Sequence, residues 1–110
     1  MTSDPERLRF NEILARSVKE GVTNALGRNV AAAMFDQLYE HYDLTVENIP
    51  DRLDTFFSIL EDAFGYKISR VMSRVIARKL YAQLSLEFVE KPEKGLLEYV
   101  DEAKKKLANS

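Results

Sequence analysis

The sequence predicts an all-α fold, an irregular or orthogonal bundle of about five helices in a single domain covering residues 1–110. Three observations carry that prediction. Strong helix formers dominate a chain that holds only four glycines and three prolines. Its apolar residues recur at three- and four-residue steps and do not alternate along Val-, Ile- or Thr-rich runs as a half-buried strand requires. Finally, 110 residues at 45% hydrophobic content are enough to bury a core without help from a second domain.

Asp4-Pro5 opens the first helix, since aspartate can cap and proline suits the first helical position. Phe10, Leu14, Val18, Val22 and Leu26 then follow at steps of four, with Ile13 and Ala25 beside them. Gly27 stops this helix because glycine tolerates the positive φ of a C-terminal cap. Asn29 can cap a second helix from Val30 to His41, whose three alanines would let another helix come close. Thr45 is placed to cap a single turn over Val46-Glu47-Asn48. Ile49 precedes Pro50 and is expected to be extended. Asp51 then caps a third helix from Arg52 to Phe64, with Leu53, Phe56, Phe57, Leu60 and Phe64 inward, and Gly65 ends it.

The bundle should be built round the next stretch, Tyr66 to Leu84. Ile68, Val71, Met72, Val75, Ile76, Leu80 and Leu84 keep the helical period on one side. Lys67, Arg70, Arg74 and Arg78 climb the other. The short connection at Gly65 favours an antiparallel or steeply crossed pair with the helix before it. Ser85 to Glu90 can either finish this helix or run extended, and Lys91-Pro92 ends it in both cases. A last amphipathic helix, Glu93 to about Leu107, turns Leu96, Leu97, Val100, Ala103 and Leu107 inward. Lys104, Lys105 and Lys106 then suit its C-terminal dipole.

Composition excludes several function classes. With no cysteine, the chain has no disulfide, thiolate nucleophile or cysteine-held zinc. No apolar run approaches the roughly 18 residues that span a bilayer. The polar start Met1-Thr2-Ser3-Asp4-Pro5-Glu6 is not a secretory leader, so a cytoplasmic location without membrane attachment is expected. A net charge of −2 and a pI near 5.5 argue against a nonspecific nucleic-acid coat. That balance hides an asymmetry. Residues 36–62 carry eight acidic side chains against Arg52 alone, a balance of −7, whereas residues 66–81 carry five basic side chains and no acidic one.

The basic residues Lys67, Arg70, Arg74, Arg78 and Lys79 are the candidates for binding a partner or an anion, whether phosphate, nucleic acid or an acidic protein. The plainer alternative is a solvated face, or one neutralised by the acidic third helix. A short turn before a basic helix also fits a helix-turn-helix. Against that, the basic helix lacks early Asn or Gln for reading bases, and the acidic segment before it would repel phosphates. His41 is the sole histidine. With Asp36, Glu40 and Asp43 nearby it invites a metal, but neither paired-histidine nor calcium-loop spacing is present. Glu61-Asp62 are adjacent on a helix and so do not face each other. The tri-lysine lies beside Glu98, Asp101 and Glu102, which weakens it as a membrane anchor. Among the aromatics, Tyr39, Tyr42, Tyr66 and Tyr81 are the candidate interface residues, since tyrosine buries area while keeping a polar end. No residue pattern points to a catalytic group, a metal site or a cofactor.

Several positions between Leu26 and Leu86 together resemble a family of small helical modules from archaea, the Nitrosopumilus output domain family. They are Leu26-Gly27, Tyr42-Asp43-Leu44, Ile49-Pro50, Leu53, Phe56, Leu60, Phe64-Gly65, Ile68, Ile76 and Lys79-Leu80-Tyr81. These are mostly apolar and turn positions, so what they carry is a fold. The resemblance implies a module of archaeal signalling or regulation, and this chain reads as a stand-alone version of it. The expected function is therefore a noncatalytic helical protein-interaction module that docks an exposed face on a protein partner. Homodimerisation is also expected, through the broad stripes of the first and last helices. The alternative is a small DNA-binding or transcription-associated protein using helix 66–81.

Overall fold

The computed structural model describes residues 5–109. Among them are four α-helices, one 3₁₀ turn and no strand. The helices are α1 (Pro5–Leu26), α2 (Arg28–Tyr42), α3 (Leu53–Gln83) and α4 (Leu96–Ala108), with the 3₁₀ turn at Ile49–Arg52. The all-α class agrees with the sequence. The count of about five does not, because the expected third and fourth helices are two arms of α3. They meet at Gly65, whose φ of 86° and ψ of 171° lie far from helical values. The proposed cap of α1, Asp4, lies outside the described residues.

Each junction has a local cause. The Gly27 N–H bonds Thr23 O and closes α1, while the Gly27 carbonyl accepts the Ala31 N–H and opens α2. One residue thus serves both helices. Asn29 is the second residue of α2 and not its cap. α2 ends with Asp43 in the left-handed region at φ 55°. There Asp43 N–H bonds Tyr39 O and Leu44 N–H bonds Leu38 O, an αL-type stop beside which the apolar Leu44 is buried. Thr45 does hold the following turn: its hydroxyl accepts the Asn48 N–H at 3.2 Å, and Asn48 Oδ1 accepts the Thr45 N–H at 2.9 Å. Ile49 is not extended. It opens the 3₁₀ turn, its N–H bonds Thr45 O, and its side chain is fully buried. Burial overrides the local preference that the proline imposes. Asp51 accordingly lies inside this turn, and α3 begins two residues later.

The core gathers Phe10, Leu14, Val18 and Val22 of α1, Phe56, Leu60, Met72, Ile76 and Leu80 of α3, and Leu96, Val100 and Ala103 of α4. α3 is its centre, packing against α1, α4 and the 3₁₀ turn. The buried face of residues 66–83 is rotated from the expected one. Ile68 and Val71 are exposed, whereas Ser69, Ser73, Ala77 and Tyr81 are buried. The serines can be buried because each satisfies its hydroxyl locally, Ser69 on Tyr66 O at 2.9 Å and Ser73 on Ser69 O at 2.8 Å. On α1 the small residues Ser17 and Gly21 make a close seam with α3. Gln83 Nε2 donates to Ser17 Oγ at 3.1 Å, and Gly21 sits against Ile76, so α1 and α3 pass in opposite directions.

Residues 84–95 form a strap between α3 and α4, with turns at 84–85 and 92–93 and no helix or strand between them. Phe88 packs on Tyr81 and Tyr99, with ring centroids 5.3 and 5.4 Å away. Lys91 N–H donates to the Tyr99 hydroxyl, which itself donates to Lys91 O. Near the start of α4, Lys94 forms a charge-assisted hydrogen bond to Glu102. That bond holds the Glu102 carboxyl below its ordinary value and the Lys94 ammonium above its own. Leu97 and Leu107, expected inward, are partly open to solvent.

Candidate functional site

The basic residues of α3 lie largely against the strap, and not against the acidic first arm of their own helix. Arg78 bonds Glu90 at 2.8 Å and lies over the Phe88 ring, and Arg74 reaches the same carboxylate at 3.8 Å. Arg70 donates to Glu93 O at 2.6 Å, with its guanidinium 4.5 Å from the centre of the Tyr66 ring and 5.9 Å from that of Phe57. The three arginines therefore fasten residues 90–93 to the second arm of α3. Lys67 is exposed and Lys79 half-buried beside Arg16 and Lys19 of α1. The five candidates do not converge on one site.

The tyrosines divide in the same way. Tyr39, Tyr42 and Tyr66 are exposed. Tyr81 is buried, with its hydroxyl donated to Tyr99 O at 2.7 Å, and does not reach the surface. Burial, then the nearby Glu102 carboxylate and Tyr99, raises its pKa to about 12. Tyr81 could be enclosed because its polar end finds a backbone acceptor.

A different feature presents an open surface. α2 packs on α1, and no α2 Cα comes within 8 Å of one in α3. Between α2 and residues 59–64 of α3 lies a cleft of about 400 Å³. Val30, Ala33, Met34, Gln37, Leu38, His41 and Tyr42 line it from α2, and Ile59, Leu60, Ala63 and Phe64 from α3. Of the three α2 alanines, Ala31 is buried, while Ala32 and Ala33 are exposed and no helix covers them. The cleft runs along α2 from Val30 to Tyr42, roughly 18 Å at about 1.5 Å per residue.

The cleft is apolar along its length and negative along its edges. A helix turns about 100° per residue, so Glu40 lies about 20° round α2 beyond Ala33, and Asp36 about 40° beyond that. On α3, Asp62 lies about 60° from Ile59, on the side away from buried Leu60. Asp36, Glu40 and Asp62 are exposed, and none forms an ion pair with a described residue. Arg52, the one cation in residues 36–62, points its guanidinium at the carbonyls of Tyr42 and Asp43. It caps α2 and leaves the rim uncompensated.

The sequence named Tyr42 for this region but missed the cleft. Val30, Met34, Ile59 and Phe64 were legible as apolar, yet their pattern suits a helix pair in contact as well as one held apart. His41 lies in the cleft wall, and among the described residues no three His, Asp or Glu side chains are grouped to hold a metal. No described helix is long and apolar enough to cross a membrane. Comparison with family models, curated proteins and solved structures finds no match to this chain.

Proposed function

We propose that the chain is a noncatalytic protein-interaction module of archaeal regulation or signal output, acting in the cytoplasm, and that it docks an α-helix of a partner protein in the α2–α3 cleft. The observation that carries this reading is the separation of α2 from α3. It leaves apolar side chains of two helices facing each other across an open gap. A third helix laid in such a gap supplies the missing apolar contacts, a recurrent mode of peptide recognition. Tyr42 at one end offers a rigid aromatic edge of the type that concentrates binding energy. The resemblance over Leu26 to Leu86 supports the regulatory role. The alternative, DNA binding by helix 66–81, requires arginines directed at phosphates, and Arg70, Arg74 and Arg78 instead hold the strap.

Selection of displayed amphipathic helices of unrestricted charge tests the docking site. Wild type is compared with Ala33→Trp, which fills the cleft from an exposed position. Helices that bind wild type and weaken at least about tenfold on Ala33→Trp support the reading. If no selected helix distinguishes the two proteins, the cleft is not a docking site. Salt-sensitive gel shifts lost in Arg70→Glu plus Arg74→Glu would instead favour the DNA-binding alternative.

A further inference from the structure

We infer that the helix this cleft accepts is basic along both edges of its apolar stripe and belongs to another protein, not to a second copy of this chain; the inference rests on the docking reading above. Two features of the surface select such an occupant. The first is the uncompensated rim. Glu40 and Asp36 follow the open edge of α2, Asp62 follows the open edge of α3, and no described cation pairs with them. An occupant with acidic flanks would set like charges beside one another on both sides. One with Lys or Arg flanks would place a cation against each carboxylate while its apolar stripe covers Met34 and Ile59. Exposed pairs contribute little singly, but three that close together at the edge of an apolar contact carry a preference of about tenfold at low salt.

The second feature is the disposition of this chain's own basic helices. Arg74 and Arg78 are engaged by Glu90, and Arg70 by the Glu93 carbonyl. In α4, Lys105 pairs with Asp101, Lys106 with Glu102, and Lys104 lies over Phe10. The apolar stripes beside these cations, Met72, Ile76 and Leu80 on α3 and Val100 and Ala103 on α4, are already buried in the core. The second arm of α3 leaves Ile68 and Val71 exposed beside Lys67, about one turn of apolar surface against the three turns of the cleft. Without unfolding, a second copy therefore has no basic helix on α3 or α4 whose apolar stripe fills the cleft. The Val30-to-Tyr42 span, about three helical turns, sets the length of the segment sought.

Two labelled probe peptides test this, each of 18 residues with the same leucine stripe, one flanked by lysines and one by glutamates. Their affinities are read by fluorescence anisotropy, with amide shifts locating the contact. The expected result is that the Leu/Lys peptide shifts amides of α2 and residues 59–64 and binds about tenfold tighter than the Leu/Glu peptide. The preference should vanish near 1 M salt, where the screening length is about 3 Å. It should reverse in Asp36→Lys/Glu40→Lys/Asp62→Lys, whose changes are all at exposed positions. Ala33→Trp should weaken both peptides. Equal binding of the two peptides, still lost on Ala33→Trp, would overturn the charge inference and leave the docking reading standing. Binding of both peptides unaffected by Ala33→Trp would remove both. A dimer in sedimentation that Ala33→Trp dissociates would make a second copy the occupant and overturn the inference.

Discussion

The Tyr81 hydroxyl donates a 2.7 Å hydrogen bond to the carbonyl of Tyr99, joining the end of α3 to the first turns of α4 beneath the strap. Both side chains are buried, and Phe88 of the strap packs on both rings. Tyr81→Phe should keep the ring packing and lose the bond, at a cost of about 1–2 kcal/mol. The pH dependence has a definite sign. Unfolded tyrosine ionises near 10.0, but Tyr81 in the fold does so only near 12, first because it is buried and then because Glu102 is close. Ionisation therefore favours the unfolded chain above pH 10, and stability should fall as pH rises from there. Phenolate absorbance should show a late step that Tyr81→Phe abolishes.

The Lys94–Glu102 pair gives an opposite, acid-side dependence. The hydrogen bond from Lys94 lowers the Glu102 carboxyl pKa, so its contribution is present above the ordinary carboxylate value of 4.5 and is lost as pH falls. Lys94 is raised, so its share is present below 10.5 and is lost only as pH rises beyond it. Between those limits the pair is intact. Lys94→Met should cost up to about 1 kcal/mol at neutral pH. The gap between wild type and variant should narrow on acidification, as read from urea midpoints at each pH. A gap that widens toward low pH would be inconsistent with the pair.

Gly21 marks the closest approach of α1 to α3. A Cβ there would lie 2.6 Å from Ile76 Cγ1 and 3.0 Å from Ile76 Cα. Alanine would ordinarily gain about 1 kcal/mol in a helix interior. Overpacking costs about 1–3 kcal/mol, and a clash with backbone is not relieved by a rotamer change. Gly21→Ala should therefore destabilise by about 1–2 kcal/mol. Pairing it with Ile76→Ala should cost less than the sum of the two, since the second change removes the nearer contact. Thermal unfolding of the four proteins in the cycle checks this.

The helix spans were legible because Gly27, Gly65 and the four-residue apolar steps of α1 act locally. The rotated face of α3 was not. Ile68 and Val71 outrank Ser69 and Ser73 in hydrophobicity, but the serines can be buried because they bond their hydroxyls to their own helix. The strap shows the same limit. Its role depends on Phe88 meeting Tyr99 and on three arginines meeting residues 90–93, contacts between segments that local pattern does not relate. The cleft was hidden for a different reason. Its lining residues have core composition, and only the course of α2 along α1 shows that no helix covers them. Its acidic rim, by contrast, was already visible as the −7 balance of residues 36–62.

The bend at Gly65 sets where the first arm of α3 lies, and so where the cleft's second wall stands. At φ 86° and ψ 171° this residue occupies a region that is essentially reserved for glycine. A Cβ there would meet nothing within 4 Å, so the cost of Gly65→Ala is conformational and not steric. The variant has two choices. Straightening α3 would satisfy alanine's helical preference but would pull Phe56 and Leu60, both fully buried, out of the core. Burial of each is worth about 1.5–3 kcal/mol, more together than the strain of about 1–3 kcal/mol in keeping the bend. Arg70, held between Tyr66 beside the bend and Phe57 before it, also braces the bent form. Gly65→Ala should therefore stay bent and lose about 1–3 kcal/mol, with amide shifts confined to the neighbourhood of residue 65. Shifts spread along residues 53–64, with Phe56 and Leu60 newly exposed to solvent, would mean that the helix had straightened and that core burial does not hold the bend.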